Sequence, residues 1–102
     1  TGRLQGMTFD LEVKEVAIRQ AARVYTYYEH RIPGLGERFI AALEEGYSML
    51  RKPPYFQVRQ APYRYLKLRK FPYRLIYEVQ DQSVIVYQVR HTRLRSQRKF
   101  GP

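Results

Sequence analysis

The stretch Tyr63–Tyr77 decides the fold, and its sequence is YRYLKLRKFPYRLIY. Its first half alternates, so that the tyrosines and the lysine point to one side of an extended chain while Leu66 and Leu68 point to the other. A period of two is typical of a half-buried strand. Because Pro72 cannot donate a hydrogen bond to a sheet, the residues around it predict a connection into a second strand, 73–79. The stretch therefore predicts a β-hairpin that carries five cations and four tyrosines.

The rest of the chain predicts two helices and two further strands. Alternating polarity indicates strands, and apolar residues that recur every three or four positions indicate amphipathic helices. The additional predicted elements are a strand over 8–13, helices over 14–31 and 35–50, and a strand over 84–90. Ile32-Pro33-Gly34 separates the helices and predicts a helical hairpin, while residues 55–62 are predicted to form a loop. The predicted order is β-α-α-β-β-β, an α+β fold in which a helical hairpin packs on a small, mainly antiparallel sheet.

Length and composition predict one folded domain. The chain has 102 residues, and its hydrophobic fraction of 44% argues against disorder. We expect the domain to occupy residues 7–100, with residues 1–6 left over from cloning ahead of a native start at Met7 and residues 101–102 as a tail. The absence of cysteine excludes a disulfide framework and fits a reducing cytoplasm. No apolar run approaches the ~20 residues of a membrane span, so we expect a cytoplasmic protein without a membrane partner.

The positive charge is concentrated in the second half of the chain. Residues 1–45 hold six Lys/Arg and seven Asp/Glu, whereas residues 46–102 hold thirteen Lys/Arg against only Glu78 and Asp81. The halves therefore carry net charges of −1 and +11, which together give the +10 of the whole chain. Such crowding of like charges costs self-repulsion in the free protein, so it favours a polyanionic partner over a merely soluble surface.

The sequence lacks the motifs of most enzymes. It has no glycine-rich phosphate loop, metal-ligand cluster or nucleophile motif, so we expect no metal and no cofactor. A catalytic site would have to consist of Lys, Arg, Tyr and His. That set suits metal-free RNA cleavage, in which a 2′-hydroxyl attacks the adjacent phosphate and cations stabilise the transition state.

The candidate site residues lie on the predicted hairpin and on the C-terminal segment. Lys67 and Arg74 lie on adjacent strands, close enough to share one phosphate. Neutral pH is near the pKa of a histidine, so His91 is equally well explained as a general acid or base and as a structural residue. Any single cation is more simply explained as a solvated surface charge. The cations taken together favour anion binding, because no acidic residue lies between Glu45 and Glu78. The predicted catalytic residues are Lys67, Arg74, His91 and Arg93. The predicted RNA-binding residues are Tyr63, Tyr65, Arg69, Tyr73, Arg95, Arg98 and Lys99.

Several short motifs follow one another along the chain. They are Tyr27-Tyr28-Glu29, Pro33-Gly34-Leu35-Gly36, Phe39, Pro53 or Pro54, Tyr65-Leu66-Lys67-Leu68, Phe71-Pro72-Tyr73-Arg74-Leu75-Ile76-Tyr77, Val89-Arg90-His91, and Arg93 with Arg95. In this order and spacing they resemble the RelE/ParE family of toxins from bacterial type II toxin–antitoxin systems. The resemblance covers almost all of residues 7–100 and implies the β-α-α-β-β-β fold.

The resemblance implies two alternative activities. RelE-like members cleave mRNA in the ribosomal A site, and Lys67, Arg74 and Arg93 match their catalytic cations by position. ParE-like members inhibit DNA gyrase and cut nothing; the helical hairpin resembles that branch, and Tyr65 stands where RelE has a lysine. The sequence favours a ribosome-dependent mRNA endonuclease, with a gyrase inhibitor or a plain nucleic-acid-binding module as alternatives. Either toxin implies growth inhibition, a role in plasmid stabilisation, and a cognate acidic antitoxin besides the ribosome and mRNA or gyrase.

Overall fold

The structure is a computed structural model that describes residues 8–55 and 57–93, without the side chains of residues 57–60. Its elements are β1 (Asp10–Val13), α1 (Glu15–Arg31), α2 (Leu35–Leu50), β2 (Gln57–Gln60), β3 (Tyr63–Lys67), β4 (Tyr73–Gln80) and β5 (Ser83–His91). Both predicted helices, the β-hairpin and the last strand are confirmed. The predicted loop over 55–62 is wrong in part, because β2 lies within it. No helix of the described residues is long and apolar enough to cross a membrane.

The five strands form one mixed sheet in the order β1-β5-β4-β3-β2. Neighbouring strands from β2 to β5 are antiparallel, whereas β1 runs parallel to β5, with Leu11 opposite Val84. A parallel pair requires a long crossover connection, and part of it here is the helical hairpin. The predicted α+β class with a mainly antiparallel sheet is thus confirmed.

The two helices pack on one face of the sheet, and the core lies between these layers. The residues that share this core include Ala17, Ala21, Phe39, Leu43, Leu50, Leu75, Tyr77, Val84, Val86 and Val89. Each fully buried large apolar side chain stabilises the fold by about 1.5–3 kcal/mol. Helix α2 approaches the hairpin closely at Gly46, where an added Cβ would lie 2.9 Å from Leu68 and 3.2 Å from Leu75.

A carboxylate holds the turn between the helices. The backbone N–H groups of Gly34 and Gly36 donate to the two carboxylate oxygens of Glu29, each at 2.9 Å. Gly34 precedes the first turn of α2 with a φ of 90°, which glycine adopts without strain. The side chain of Glu29 therefore satisfies amides that the helix leaves unpaired, and its charge complements the helix dipole. The motifs Tyr27-Tyr28-Glu29 and Pro33-Gly34-Leu35-Gly36 thus have a structural reason to occur together.

A β-bulge interrupts the pairing of β4 with β5. Tyr77 is opposite Val86, but the preceding residue, Ile76, is opposite Gln88. Tyr87 is therefore an extra residue on β5 with no partner position on β4. An extra residue of this kind reverses the faces on which the following side chains lie.

The reversal decides where the end of β5 presents its side chains. Val84 and Val86 belong to the core under the helices, and after the bulge Val89 belongs to the same core. Since alternate residues share a face, His91 also lies on the helix side of the sheet, whereas Arg90 lies on the opposite side, which we call the outer face.

Candidate functional site

Three cations lie side by side on the outer face of the sheet. Lys67 on β3 is opposite Arg74 on β4, and Arg74 is opposite Arg90 on β5. Adjacent strands are separated by about 4.8 Å, so these residues, which we call the basic row, span about 10 Å between their backbones. The predicted proximity of Lys67 and Arg74 is confirmed. Arg90 was missed, because its face depends on the bulge.

The middle cation of the basic row is packed against an aromatic ring. The guanidinium carbon of Arg74 lies 4.8 Å from the ring centroid of Tyr65, within cation–π distance. Arg74 is only 9% exposed and Tyr65 only 4%. A ring buried to this degree cannot stack directly on a nucleotide base, so the predicted base contact of Tyr65 is corrected to a supporting role beneath Arg74.

Lys67 is exposed, and its ammonium group folds back on its own chain. Nζ donates hydrogen bonds to the backbone carbonyls of Leu68 at 3.1 Å and Phe71 at 3.3 Å. Both carbonyls belong to the connection between β3 and β4, in which Lys70 adopts a left-handed φ of 68°. Lys67 therefore braces this connection, and a bound phosphate would compete with those carbonyls.

Two further predicted RNA contacts have neighbours within the protein. The ring of Tyr63 lies edge-on to that of Tyr87, with 5.7 Å between the centroids. Arg69 is directed towards the helices, where its Nη1 lies 3.2 Å from a carboxylate oxygen of Glu45 in α2. Both side chains of this ion pair are substantially exposed, so the pair contributes at most about 1 kcal/mol.

His91 and Tyr73 lie on the helix side of the sheet, away from the basic row. They are cross-strand partners, and their ring centroids are 5.1 Å apart. Tyr73 in turn contacts Phe39 of α2 at 5.7 Å and Tyr28 of α1 at 6.3 Å. His91 therefore does not share a face of the sheet with Lys67 and Arg74, because the bulge turns it to the other side.

His91 forms a hydrogen bond to the backbone that follows it. Its Nδ1 accepts a hydrogen bond of 3.0 Å from the backbone N–H of Arg93. The imidazole thereby closes the turn after β5. Arg93 itself is exposed at this end of the sheet. The other predicted C-terminal contacts, Arg95, Arg98 and Lys99, lie outside the described residues.

Three phenols lie close together beside His91. Burial raises the pKa of Tyr28, and the neighbouring Tyr73 and Tyr27 raise it further. Burial likewise raises the pKa of Tyr73, with Tyr27 adding to the shift. Tyr28 and Tyr73 therefore stay protonated at neutral pH, so they can donate hydrogen bonds but are poor bases. Within residues 8–55 and 57–93, no three His, Asp or Glu side chains are grouped to hold a metal ion.

Two of the grooves on the described surface lie against the helices. One, of about 680 Å³, lies between α2 and the connection from β3 to β4; Leu35, Ala41, Ala42 and Phe71 contribute its apolar part, and Arg38, Glu45, Arg69 and Lys70 its charges. The other, of about 390 Å³, involves both helices and is almost wholly apolar, with Val13, Ile18, Ala21, Ala22, Ile40, Leu43 and Tyr47 as its lining.

The order of elements and the arrangement of the two layers define a small α+β fold. A family model described as the ParE toxin of the type II toxin–antitoxin system parDE matches residues 11–94. Since this match covers most of the chain, the chain belongs to the ParE toxin family of type II toxin–antitoxin systems.

Solved structures share the fold. The chain is similar to a chain of the chromosomal ParDE toxin–antitoxin system from P. aeruginosa, with a TM-score of 0.73 and 16% identity over 83% of this chain and 97% of that one. It is also similar to a chain of the toxin–antitoxin complex RelBE2 from Mycobacterium tuberculosis, with a TM-score of 0.54 and 20% identity over 83% of this chain and 92% of that one. No curated protein matches the sequence closely enough to count as a relative.

Proposed function

We propose that this toxin inhibits DNA gyrase by binding it and does not cleave nucleic acid. The observation that carries the proposal is the separation of the predicted catalytic residues. Arg74 is packed on Tyr65, Lys67 is bonded to backbone carbonyls, and His91 lies across the sheet from both. Membership of the ParE family supports the same activity, since ParE-like toxins inhibit gyrase.

RNA cleavage by the residues predicted from the sequence would require them to act together on one phosphate. A nuclease of this kind needs preorganised cations at the phosphate and a group within hydrogen-bond reach that removes the 2′-hydroxyl proton. Arg74 is 9% exposed, so it offers little surface to a phosphate. His91, the predicted acid or base, stacks edge-on against Tyr73 on the far side of the sheet. A toxin that acts through binding alone does not require these groups to converge.

The experiment that tests the proposal is a supercoiling assay with purified gyrase and relaxed plasmid. The wild-type protein should inhibit supercoiling and trap gyrase on DNA, and expression in cells should induce the SOS response and filamentation. The variant Lys67→Ala should inhibit as well as the wild type, because Lys67 only braces a loop in this proposal. Undiminished supercoiling at a large excess of wild-type protein would refute it.

The second candidate function is a ribosome-dependent mRNA endonuclease. It is favoured by the basic row, in which Lys67, Arg74 and Arg90 occupy neighbouring strands as a phosphate site would require. In this case Lys67→Ala and Arg74→Ala should both abolish growth inhibition, and primer extension should show cuts within translated mRNA after expression of the wild type. Growth arrest with intact mRNA would exclude this function.

We also propose an acidic antitoxin as the protein's partner. The groove beside α2 combines an apolar part with three cations, Arg38, Arg69 and Lys70, against one carboxylate, Glu45. An acidic amphipathic segment that is disordered when free would order on this surface, and electrostatic attraction would speed its association. The buried area should exceed about 1,500 Å² in total. Because salt screens the long-range attraction that speeds association, higher salt should slow association more than it accelerates dissociation. Stopped-flow mixing would measure both rates.

A further inference from the structure

Exposed apolar and cationic side chains meet where α1 ends. Tyr27 is 53% exposed and Ile32 is 58% exposed, although both are large apolar residues. The guanidinium carbon of Arg31 lies 5.3 Å from the centroid of the Tyr27 ring, in a cation–π contact on the helix surface. Scattered exposed apolar residues are common, but tyrosine and arginine are the side chains that dominate the binding energy of protein interfaces.

The exposed ring of Tyr27 continues into a row of aromatic contacts. Its centroid lies 5.4 Å from that of Tyr28, Tyr28 lies 6.3 Å from Tyr73, and Tyr73 lies 5.1 Å from His91. Tyr28 and Tyr73 are also anchored on Phe39 of the core. These contacts restrain the aromatic rings before any partner binds, which lowers the entropic cost of association. We call Tyr27, Arg31, Ile32, Tyr73 and His91 the tip patch.

Two arginines carry positive charge at and beside the tip patch. Arg31 and Arg93 are both exposed at this end of the molecule. The nearest carboxylate in sequence, Glu29, accepts hydrogen bonds from two backbone amides of the helical turn. Glu37 accepts a hydrogen bond of 3.0 Å from the hydroxyl of Tyr25. A partner surface with free carboxylates around an apolar depression is complementary to this arrangement.

We propose that the tip patch is the surface through which the toxin docks on gyrase, inserting Tyr27 and Ile32 into an apolar depression rimmed by carboxylates of the enzyme. The inference rests on the proposed function and adds to it the contact surface on the toxin. Tyr27 acts as the anchor, Arg31 pairs with the acidic rim, and Tyr73 with His91 supports the anchor from the sheet. The other exposed apolar residues of α1, Val16 and Ile18, lie at its opposite end and take no part.

The test compares two double variants of the same helical hairpin. Tyr27→Ala with Ile32→Ser removes the exposed apolar surface of the tip patch, while Val16→Ala with Ile18→Ser removes a similar exposed surface from the start of α1. Binding to immobilised purified gyrase should weaken by roughly thirtyfold or more in the first double variant and change by about twofold or less in the second. Circular dichroism spectra that match the wild type would show that both variants fold.

A charge reversal provides an independent measurement. Arg31→Glu keeps a good helix former on an exposed surface, so its fold should be unaffected. It should slow association with gyrase and weaken the salt dependence of the association rate. The control Arg23→Glu makes the same charge change at an exposed position of α1 about two turns nearer the start of the helix. It should reduce the association rate less than Arg31→Glu does.

The outcomes separate the inference from the proposed function. If wild-type protein does not bind or inhibit gyrase, the proposed function fails. If it inhibits gyrase and both double variants bind equally well, only the docking surface is wrong. If the tip variant keeps its gyrase affinity but loses binding to purified ribosomes, the tip patch serves a ribosomal contact and the inference is likewise overturned.

Discussion

Replacing Glu29 with glutamine tests how the chain turns from α1 into α2. In the structure, one carboxylate accepts two backbone hydrogen bonds of 2.9 Å, from Gly34 and Gly36. Helix α2 has no side-chain cap of its own, so this carboxylate acts in place of a cap. Glutamine has the same shape but only one acceptor oxygen, and its amide nitrogen would face a backbone N–H group.

The expected loss in the free energy of unfolding follows from the interactions that Glu29→Gln removes. A hydrogen bond to a charged group contributes about 1.5–3 kcal/mol, and a carboxylate at a helix N-terminus gains about 0.3–1 kcal/mol from the helix dipole. The lower ends of these two ranges apply, because the hydrogen bond to Gly34 is exposed and Glu29 is half-buried. We therefore expect the variant to lose about 2 kcal/mol of stability. For a domain of this size, such a loss lowers the melting temperature by about 10 °C.

Thermal unfolding followed by circular dichroism would measure this effect. The matched control is Glu44→Gln, which removes the same charge from an exposed position of α2. Glu44 makes no hydrogen bond or ion pair with the part of the chain that the structure describes. The control should therefore shift the melting temperature by less than about 3 °C. Equal shifts in both variants would refute the capping role of Glu29.

Three further predictions concern stability. Gly36→Ala would place a Cβ 2.8 Å from the carbonyl oxygen of Tyr25, so urea denaturation should show a loss of at least about 2 kcal/mol, and a stability like that of the wild type would contradict the tight turn. Tyr77→Phe removes the 2.6 Å hydrogen bond that the buried hydroxyl donates to the carbonyl of Pro54, which should cost about 1–3 kcal/mol in the same assay; an unchanged midpoint would mean that water or another group replaces it. Burial raises the pKa of Tyr47 to about 12, above its ordinary value of 10.0, so the protonated form is favoured in the fold. This preference contributes fully to the free energy of unfolding below pH 10, and the contribution disappears as the pH rises through 12. Tyr47→Phe should therefore reduce the loss of stability at alkaline pH by at most about 2 kcal/mol, a limit that allows for solvent screening.

Local patterns in the sequence predicted the elements with a buried face. Both helices were predicted because their apolar stripes must cover a sheet, and the hairpin was predicted because Leu66 and Leu68 alternate with polar residues. The direct pairing of Lys67 with Arg74 followed from the short connection around Pro72. Strand β2 was missed because Gln57–Gln60 shows no apolar alternation; it is an edge strand that pairs on one side only, with β3.

The composition of the candidate site could not be predicted in the same way, because it depends on one extra residue in β5. The interval from Val84 to Val86 is two residues, whereas the interval from Val86 to Val89 is three, and this change is the sequence signal of the bulge. Apolar residues on both faces of the strand concealed it. Without the bulge His91 would share a face with Arg74; with it, His91 meets Tyr73.

The motifs that carry the family resemblance divide into two groups by exposure. Glu29, Gly34 and Gly36 build the helical turn, and any protein that needs this turn can use them whatever its target. Tyr27 belongs to the same motif but is 53% exposed, and its ring packs against Tyr28 and Arg31 of its own helix. The helical turn therefore accounts for the first group and does not account for the exposed ring of Tyr27. A solvent-facing tyrosine held rigid by its neighbours and covered by an arginine is what a binding surface needs. For this reason the target of the toxin is better sought through the end of its helical hairpin than through the cations of its sheet.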